Sequence, residues 1–122
     1  DIYVYFDIDS FKQINDNFGH SVGDEVLCRM VKAIKHNVRE DDVLIRMGGD
    51  EFLLILKNAN IGMVNEIIRR IKKETLWDKP KIAFAYGVKR YRGTIDETLK
   101  EVDRLMYRDK QKRIKCEVKK EQ

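Results

Sequence analysis

Two apolar runs, Val43-Leu44-Ile45 and Phe52-Leu53-Leu54-Ile55-Leu56, flank the segment Arg46-Met47-Gly48-Gly49-Asp50-Glu51 in the middle of the chain. Apolar runs of this length joined by Gly-Gly predict two strands and a tight hairpin over 43–56. The glycines are expected to supply the positive φ angles of the turn and to leave room beside the backbone. Asp50 and Glu51 then sit at the tip, where two adjacent carboxylates are costly unless a cation visits. A solvated tip is the plain alternative.

The rest of the chain has to be arranged around that pair. Residues 2–8 mix aromatic and β-branched types and read as a central strand ending in Asp7-Ile8-Asp9, with Asp7 and Asp9 on one face. Asp9 or Ser10 is placed to cap a short helix over Phe11 to Asp16, and Asn17 to Ser21 reads as a break with Ser21 as the next N-cap. Val22, Val26, Leu27, Met30, Ile34 and Val38 recur at helical spacing and predict a helix over about 22–38, with Cys28 among its core residues. A third helix is marked by Ile61, Val64, Ile67, Ile68 and Ile71. Trp77 to Pro80 is a loop, with Trp77 expected to lie over the core. Residues 82–88 form a strand in which Ala83, Ala85 and Gly87 permit close helix packing. Ile95, Leu99, Val102, Leu105 and Met106 mark a last helix, and 114–118 a short edge strand. Helices separating most strands around a central hairpin predict an α/β (α+β) domain, a split βαβ, ferredoxin-like sheet with helices packed on it.

At 122 residues the chain is one domain. No apolar run approaches the length of a membrane span, and two cysteines imply neither a disulfide framework nor a zinc site, so a cytoplasmic domain is expected. Charge is unevenly spread. Residues 1–24 hold five acids against one base, and residues 108–122 seven bases against three acids. The aromatics are not interleaved with that basic run, so nucleic acid is not expected as a partner.

In a split βαβ sheet the first strand and the hairpin can be neighbours, which brings Asp7 toward Asp50. Converging carboxylates repel, and a Mg²⁺ ion relieves them; two ions about 3.5–4 Å apart suit phosphoryl transfer. Lys12, just beyond the acidic strand end, is placed to hold a phosphate together with backbone N–H groups. Asn15 and Asp24 are the kind of polar pair that reads the edge of guanine. Capping for Asn15 and Asp16, and a favourable first-turn charge for Asp24, remain as alternatives. Glu51 suits either a metal ligand or a partner for neighbouring bases.

The stretch from Asp7-Ile8-Asp9-Ser10-Phe11-Lys12 through Asn15-Asp16, Gly19-His20 and Gly23-Asp24 closely resembles the D-x-D-x-F-K-x-x-N-D-x-x-G-H-x-x-G-D pattern of GGDEF-domain diguanylate cyclases. Gly48-Gly49-Asp50-Glu51-Phe52 matches the family's naming signature, and Asp103-Arg104-Leu105-Met106-Tyr107 resembles its D-x-x-(L/M)-Y. The resemblance covers nearly the whole chain. It implies a palm-type sheet and a reaction that condenses two GTP molecules into cyclic di-GMP and two pyrophosphates. It implies that Asp7, the Ile8 backbone carbonyl and Asp50 ligate two Mg²⁺ or Mn²⁺ ions, with Glu51 supporting the reaction centre. Phe11, Lys12 and Lys110 are then triphosphate contacts, and Asn15 and Asp24 read the guanine. Two such domains must face each other as a homodimer.

Arg39-Glu40-Asp41-Asp42 resembles the family's R-x-x-D product-inhibition site, with Arg39 and Asp42 as contacts to cyclic di-GMP and Arg70 contributing from the next helix. The chain departs from the family pattern at three places. It starts after the L-T-x-L-x-N-R segment, which implies a domain cut from a larger protein with an upstream sensor or receiver domain. Ala85-Tyr86-Gly87 stands for S-I-G. Asp109-Lys110-Gln111-Lys112-Arg113-Ile114 stands for A-K-x-x-G-R, with Ile114 at the arginine position. That last departure keeps a second expectation in view, a regulatory module that binds GTP or cyclic di-GMP without turnover.

Overall fold

A computed structural model describes residues 1–90, 96–97, 100–101 and 103–111. Its element order is β1 (Ile2–Ile8), α1 (Phe11–Phe18), α2 (His20–His36), β2 (Val43–Arg46), β3 (Glu51–Leu56), α3 (Ile61–Thr75) and β4 (Phe84–Arg90). Residues 103–111 are helical and are called α4 below. The sheet order is β2-β3-β1-β4, and every neighbouring pair is antiparallel. Each helical crossover therefore joins strands that are parallel but separated by one other strand. This is the split βαβ arrangement the element order predicts.

The alternation of β1 divides the core in two. Ile2, Val4, Phe6 and Ile8 face one side, where Phe52, Leu54, Leu56 and Phe84 join them under the buried faces of α2 and α3. Tyr3 and Tyr5 face the other, against Leu53, Ala85 and Met106 of α4. Ala85, with no side chain beyond Cβ, is wholly buried there, in keeping with the small residues expected to admit a helix. Asp109 of α4 accepts a hydrogen bond from the Tyr86 backbone N–H at 3.3 Å and ties that helix to β4.

Helix boundaries differ from the sequence expectation for local reasons. Helix α2 starts at His20 rather than 22, because Gly19 at φ 90° serves as C-cap of α1 and N-cap of α2. Its N–H donates to Asn15 O at 2.8 Å and its carbonyl accepts from Gly23 N at 3.2 Å. Ser21 is thus inside the helix and not its cap. The helix ends at His36 because the Asn37 side chain takes the Ala33 carbonyl at 2.7 Å. Ser10 occupies the N-cap position of α1 at φ 55° but makes no side-chain cap hydrogen bond. Asn60, in the expected turn, caps α3 by accepting from Met63 N at 2.8 Å.

Strand β4 begins at Phe84, two residues beyond the expected start. Cys28 is exposed, one step off the face that buries Val26, Leu27 and Met30. Trp77 does not cover the core. It is 85% exposed, because the last buried residue of α3 is Thr75 and the chain turns outward there. The expected strand at 114–118 lies outside the described residues, as do Ile95, Leu99 and Val102 of the expected last helix.

Phe6 is fully buried at the centre of the larger core, edge-on to Phe84 with ring centroids 5.5 Å apart. Phe6→Ala is expected to lower the unfolding free energy by about 3–5 kcal/mol, to be measured by urea titration against the parent chain.

Candidate active site

The register of β1 against β3 sets Asp7 directly opposite Glu51. One residue further, Ile8 N–H donates to the Asp50 carbonyl at 3.0 Å, so the pairing runs on into the hairpin tip. The Ile8 side chain is fully buried, leaving only its backbone for the site. Asp7, Asp50 and Glu51 each present a carboxylate oxygen within 4.8 Å of the other two, and all three residues are half-buried.

Among the described residues, one ammonium faces this cluster. Lys110 Nζ of α4 lies 3.1 Å from Asp7 Oδ2. Asp7 Oδ1 is buried and accepts no hydrogen bond from the described residues. Burial, followed by the neighbouring Asp7 charge, pushes the Asp50 carboxyl above its ordinary range. Three converging carboxylates, an orphaned buried oxygen and an all-oxygen donor set fit a hard divalent cation.

Three further residues shape the cluster, and the sequence motifs gave none of them a role. The Tyr5 hydroxyl donates to Glu51 Oε2 at 2.8 Å. Burial first, and then Glu51, drive the Tyr5 phenol far above its usual pKa, so it stays a donor. Arg46 spans the tip, with Nε 3.1 Å from the Gly48 carbonyl and Nη2 2.8 Å from the Gly49 carbonyl. Met47 N–H closes the turn onto the Glu51 carbonyl at 2.8 Å. Neither Gly48 nor Gly49 adopts the left-handed conformation expected of them; among the described residues the positive-φ glycine is Gly19. Both positions are uncrowded: a Cβ on Gly49 would meet nothing within 4 Å, and one on Gly48 would lie 3.4 Å from Glu51 Oε2.

Beside the cluster, α1 starts two residues after Asp9, and its first turn lacks a side-chain cap. Lys12 is exposed in that turn and Phe11 packs partly against the core. Asn15 is half-buried and its carboxamide lies over Gly23. A Cβ on Gly23 would fall 1.8 Å from Asn15 Oδ1 and 3.5 Å from the Phe11 ring. Gly23 therefore makes room for Asn15 and joins it to the neighbouring Asp24, which is exposed. Asp24 is the fifth residue of α2, and that helix has no acid in its first turn. The helix-dipole alternative for Asp24 does not hold.

Arg39, Asp42 and Arg70 are brought together elsewhere, around an open cavity of about 510 Å³ between the α2–β2 connection and α3. Asp42 has structural work there: Oδ2 accepts from Arg39 N at 2.9 Å and Oδ1 from Lys57 N at 3.1 Å. Arg70 Nε lies 3.2 Å from Glu66 Oε1. No helix among the described residues is long and apolar enough to cross a membrane.

Residues 2–116 match the family model described as diguanylate cyclase, GGDEF domain. The chain is 36% identical over 113 residues to diguanylate cyclase DgcM of Escherichia coli K12, covering 88% of this chain and 28% of that protein. It thus spans little more than a quarter of that relative. Among solved structures it is similar to the active GGEEF domain of a diguanylate cyclase from Vibrio cholerae. The TM-score is 0.82 at 28% identity, over 91% of this chain and 76% of that one. It is also similar to diguanylate cyclase SiaD of Pseudomonas aeruginosa, solved with its activator SiaC. There the TM-score is 0.81 at 28% identity, over 91% and 46% of the two chains.

Because folding raises the Asp50 pKa, the folded state holds that proton more tightly than the unfolded chain does. The contribution to stability is present in acid, below the ordinary carboxylate pKa, and is lost as pH rises through the folded value. Asp50→Asn is therefore expected to melt at a higher temperature than the parent at pH 7 without added metal, with the gain shrinking toward pH 3.5. Thermal melts at the two pH values check this.

Proposed function

Because the chain belongs to the GGDEF family of diguanylate cyclases, we propose that it condenses two GTP molecules into cyclic di-GMP at a site shared between two copies of the domain. The observation that carries this reading is the convergence of Asp7, Asp50 and Glu51, with an orphaned buried oxygen on Asp7, beside the uncapped start of α1.

In this reading each domain holds one GTP. The guanine lies against Asn15 and Asp24: the Asp24 carboxylate accepts from the ring N1–H and exocyclic amine, and the Asn15 amide donates to a ring acceptor. The triphosphate runs to the α1 N-terminus, where uncapped backbone N–H groups and Lys12 supply positive potential. Gly49 leaves the backbone at the tip open to close approach by phosphate oxygens. Lys110 exchanges its ion pair with Asp7 for a contact to phosphate. Asp7, the Ile8 carbonyl and Asp50, with Glu51, would hold two Mg²⁺ or Mn²⁺ ions, which when bound neutralise phosphate charge and acidify the attacking hydroxyl.

The 3′-oxygen of one GTP forms a bond to the α-phosphorus of the other, and the bond to pyrophosphate breaks. The same exchange in the opposite direction closes the ring. Both attacks need two domains face to face, so the residues of one copy act chiefly by fixing its nucleotide for the other. A homodimer, an upstream regulatory domain and a cytoplasmic location belong to the same proposal.

Incubation with GTP and Mn²⁺, with and without a dimerising fusion, tests it. Cyclic di-GMP is expected from the dimerised protein, and Asp50→Ala is expected to cut its formation by about 100-fold or more. A dimerised protein that binds GTP yet forms no product would favour the second reading, a regulatory module.

The cavity bounded by Arg39, Asp42 and Arg70 supports cyclic di-GMP binding in either case. Arg39, whose backbone is fixed by Asp42, presents a guanidinium suited to forked contact with guanine or phosphate. Arg39→Ala is expected to weaken cyclic di-GMP binding by about tenfold or more, measured by calorimetry, while leaving GTP binding unchanged.

A further inference from the structure

We propose that Tyr5 is a positioning residue that holds the Glu51 carboxylate in the orientation in which it meets a divalent cation together with Asp7 and Asp50. The inference rests on the metal-dependent reading above. Tyr5 stands two residues before Asp7 on β1, so the two side chains leave the same face of the sheet. In the β1–β3 register Tyr5 is opposite Leu53, which makes Glu51 its diagonal neighbour, within reach of a long side chain. The hydroxyl donates to Glu51 Oε2 at 2.8 Å.

The donor is itself firmly held. Its ring packs with Tyr3, Leu53, Ala85 and Met106 in the smaller core and is 9% exposed. On its other side, Oε2 lies near Gly48, at 3.4 Å from where a Cβ would stand. One Glu51 oxygen is thus held by a buried phenol, and Oε1 is the oxygen outside that bond.

Without such a hold, repulsion from Asp7 and Asp50 would swing Glu51 toward solvent. A hydrogen bond from a neutral, buried donor keeps the carboxylate near its neighbours at little charge cost. Partners of this kind orient metal-ligating carboxylates, and their loss typically costs about 10–100-fold in metal affinity. Nothing in the Asp7–Asp24 or Gly48–Phe52 motifs carries Tyr5. It enters through the strand register.

The test is Mn²⁺ titration of the whole chain without nucleotide, followed by electron paramagnetic resonance, for the parent, Tyr5→Phe, Glu51→Ala and the double variant. Tyr5→Phe removes one oxygen and keeps the ring, so its metal-free melting temperature serves as the check on folding. About tenfold weaker Mn²⁺ binding is expected for Tyr5→Phe, with no further loss when Glu51 is already Ala. Parent-like Mn²⁺ affinity in Tyr5→Phe overturns the inference. So does an equal loss in the Glu51→Ala background, since the hydroxyl would then act on the fold and not through Glu51. In both of those outcomes the parent binds Mn²⁺ and the metal reading stands. A parent chain that binds no Mn²⁺ removes that reading and this inference together.

Discussion

The antiparallel register of β1 against β3 is the constraint on which the site depends. It pairs Ile2 with Leu56 at one end and Asp7 with Glu51 at the other. Side chains alternate along a strand, so a slip of one residue would send Asp7 into the apolar core and Phe6 toward the smaller face. The register is held by the burial it creates. Val4, Phe6, Phe52 and Leu54 are all but inaccessible to solvent, and no slipped pairing would cover them all. The acidic cluster is therefore fixed at a distance by apolar residues that take no part in its chemistry.

That fixing is needed because the cluster opposes folding by itself. Asp7, Asp50 and Glu51 converge with one described ammonium, Lys110, facing them. Local contacts limit the strain without neutralising it. Arg46 clamps the carbonyls at the tip, the Met47 N–H closes the turn, and Tyr5 takes one oxygen of Glu51. The elevated Asp50 pKa and the unpartnered Asp7 oxygen are what remains of the conflict. A site left in this condition has a standing attraction for divalent cations, and the rest of the domain supplies the stability it withholds.

The hairpin also joins two places where the chain gathers charged side chains. Strand β2 leaves the Arg39–Asp42 turn beside the large cavity and delivers Arg46 to the tip. Asp42 anchors the first end by bonding to Lys57 beyond β3, and Arg46 anchors the second. One short edge strand thus spans the distance between cavity and acidic cluster, with both ends tied by side-chain to backbone hydrogen bonds.

Much of this was legible in the sequence, because it is written in local patterns. Strand composition, apolar runs joined by Gly-Gly, capping residues and helical spacing marked the described elements, and the order of elements singled out the split βαβ sheet. The motif residues Asp7, Glu51, Asn15 and Asp24 stand in regular segments and Asp50 in the turn next to one, so their placement follows once those segments pair. What the sequence misjudged lies where a local rule meets a contact from elsewhere. Helix α2 begins at His20 because Gly19 before it caps both α1 and α2. Cys28 and Trp77 have apolar side chains, yet the core is filled without them. The turn glycines do not take the positive φ expected of them. Only the tertiary structure could decide that Tyr5 meets Glu51, that Asn15 rests on Gly23 and that Lys110 faces Asp7. Those pairs are set by strand register and helix placement, which chain-local periodicity does not encode.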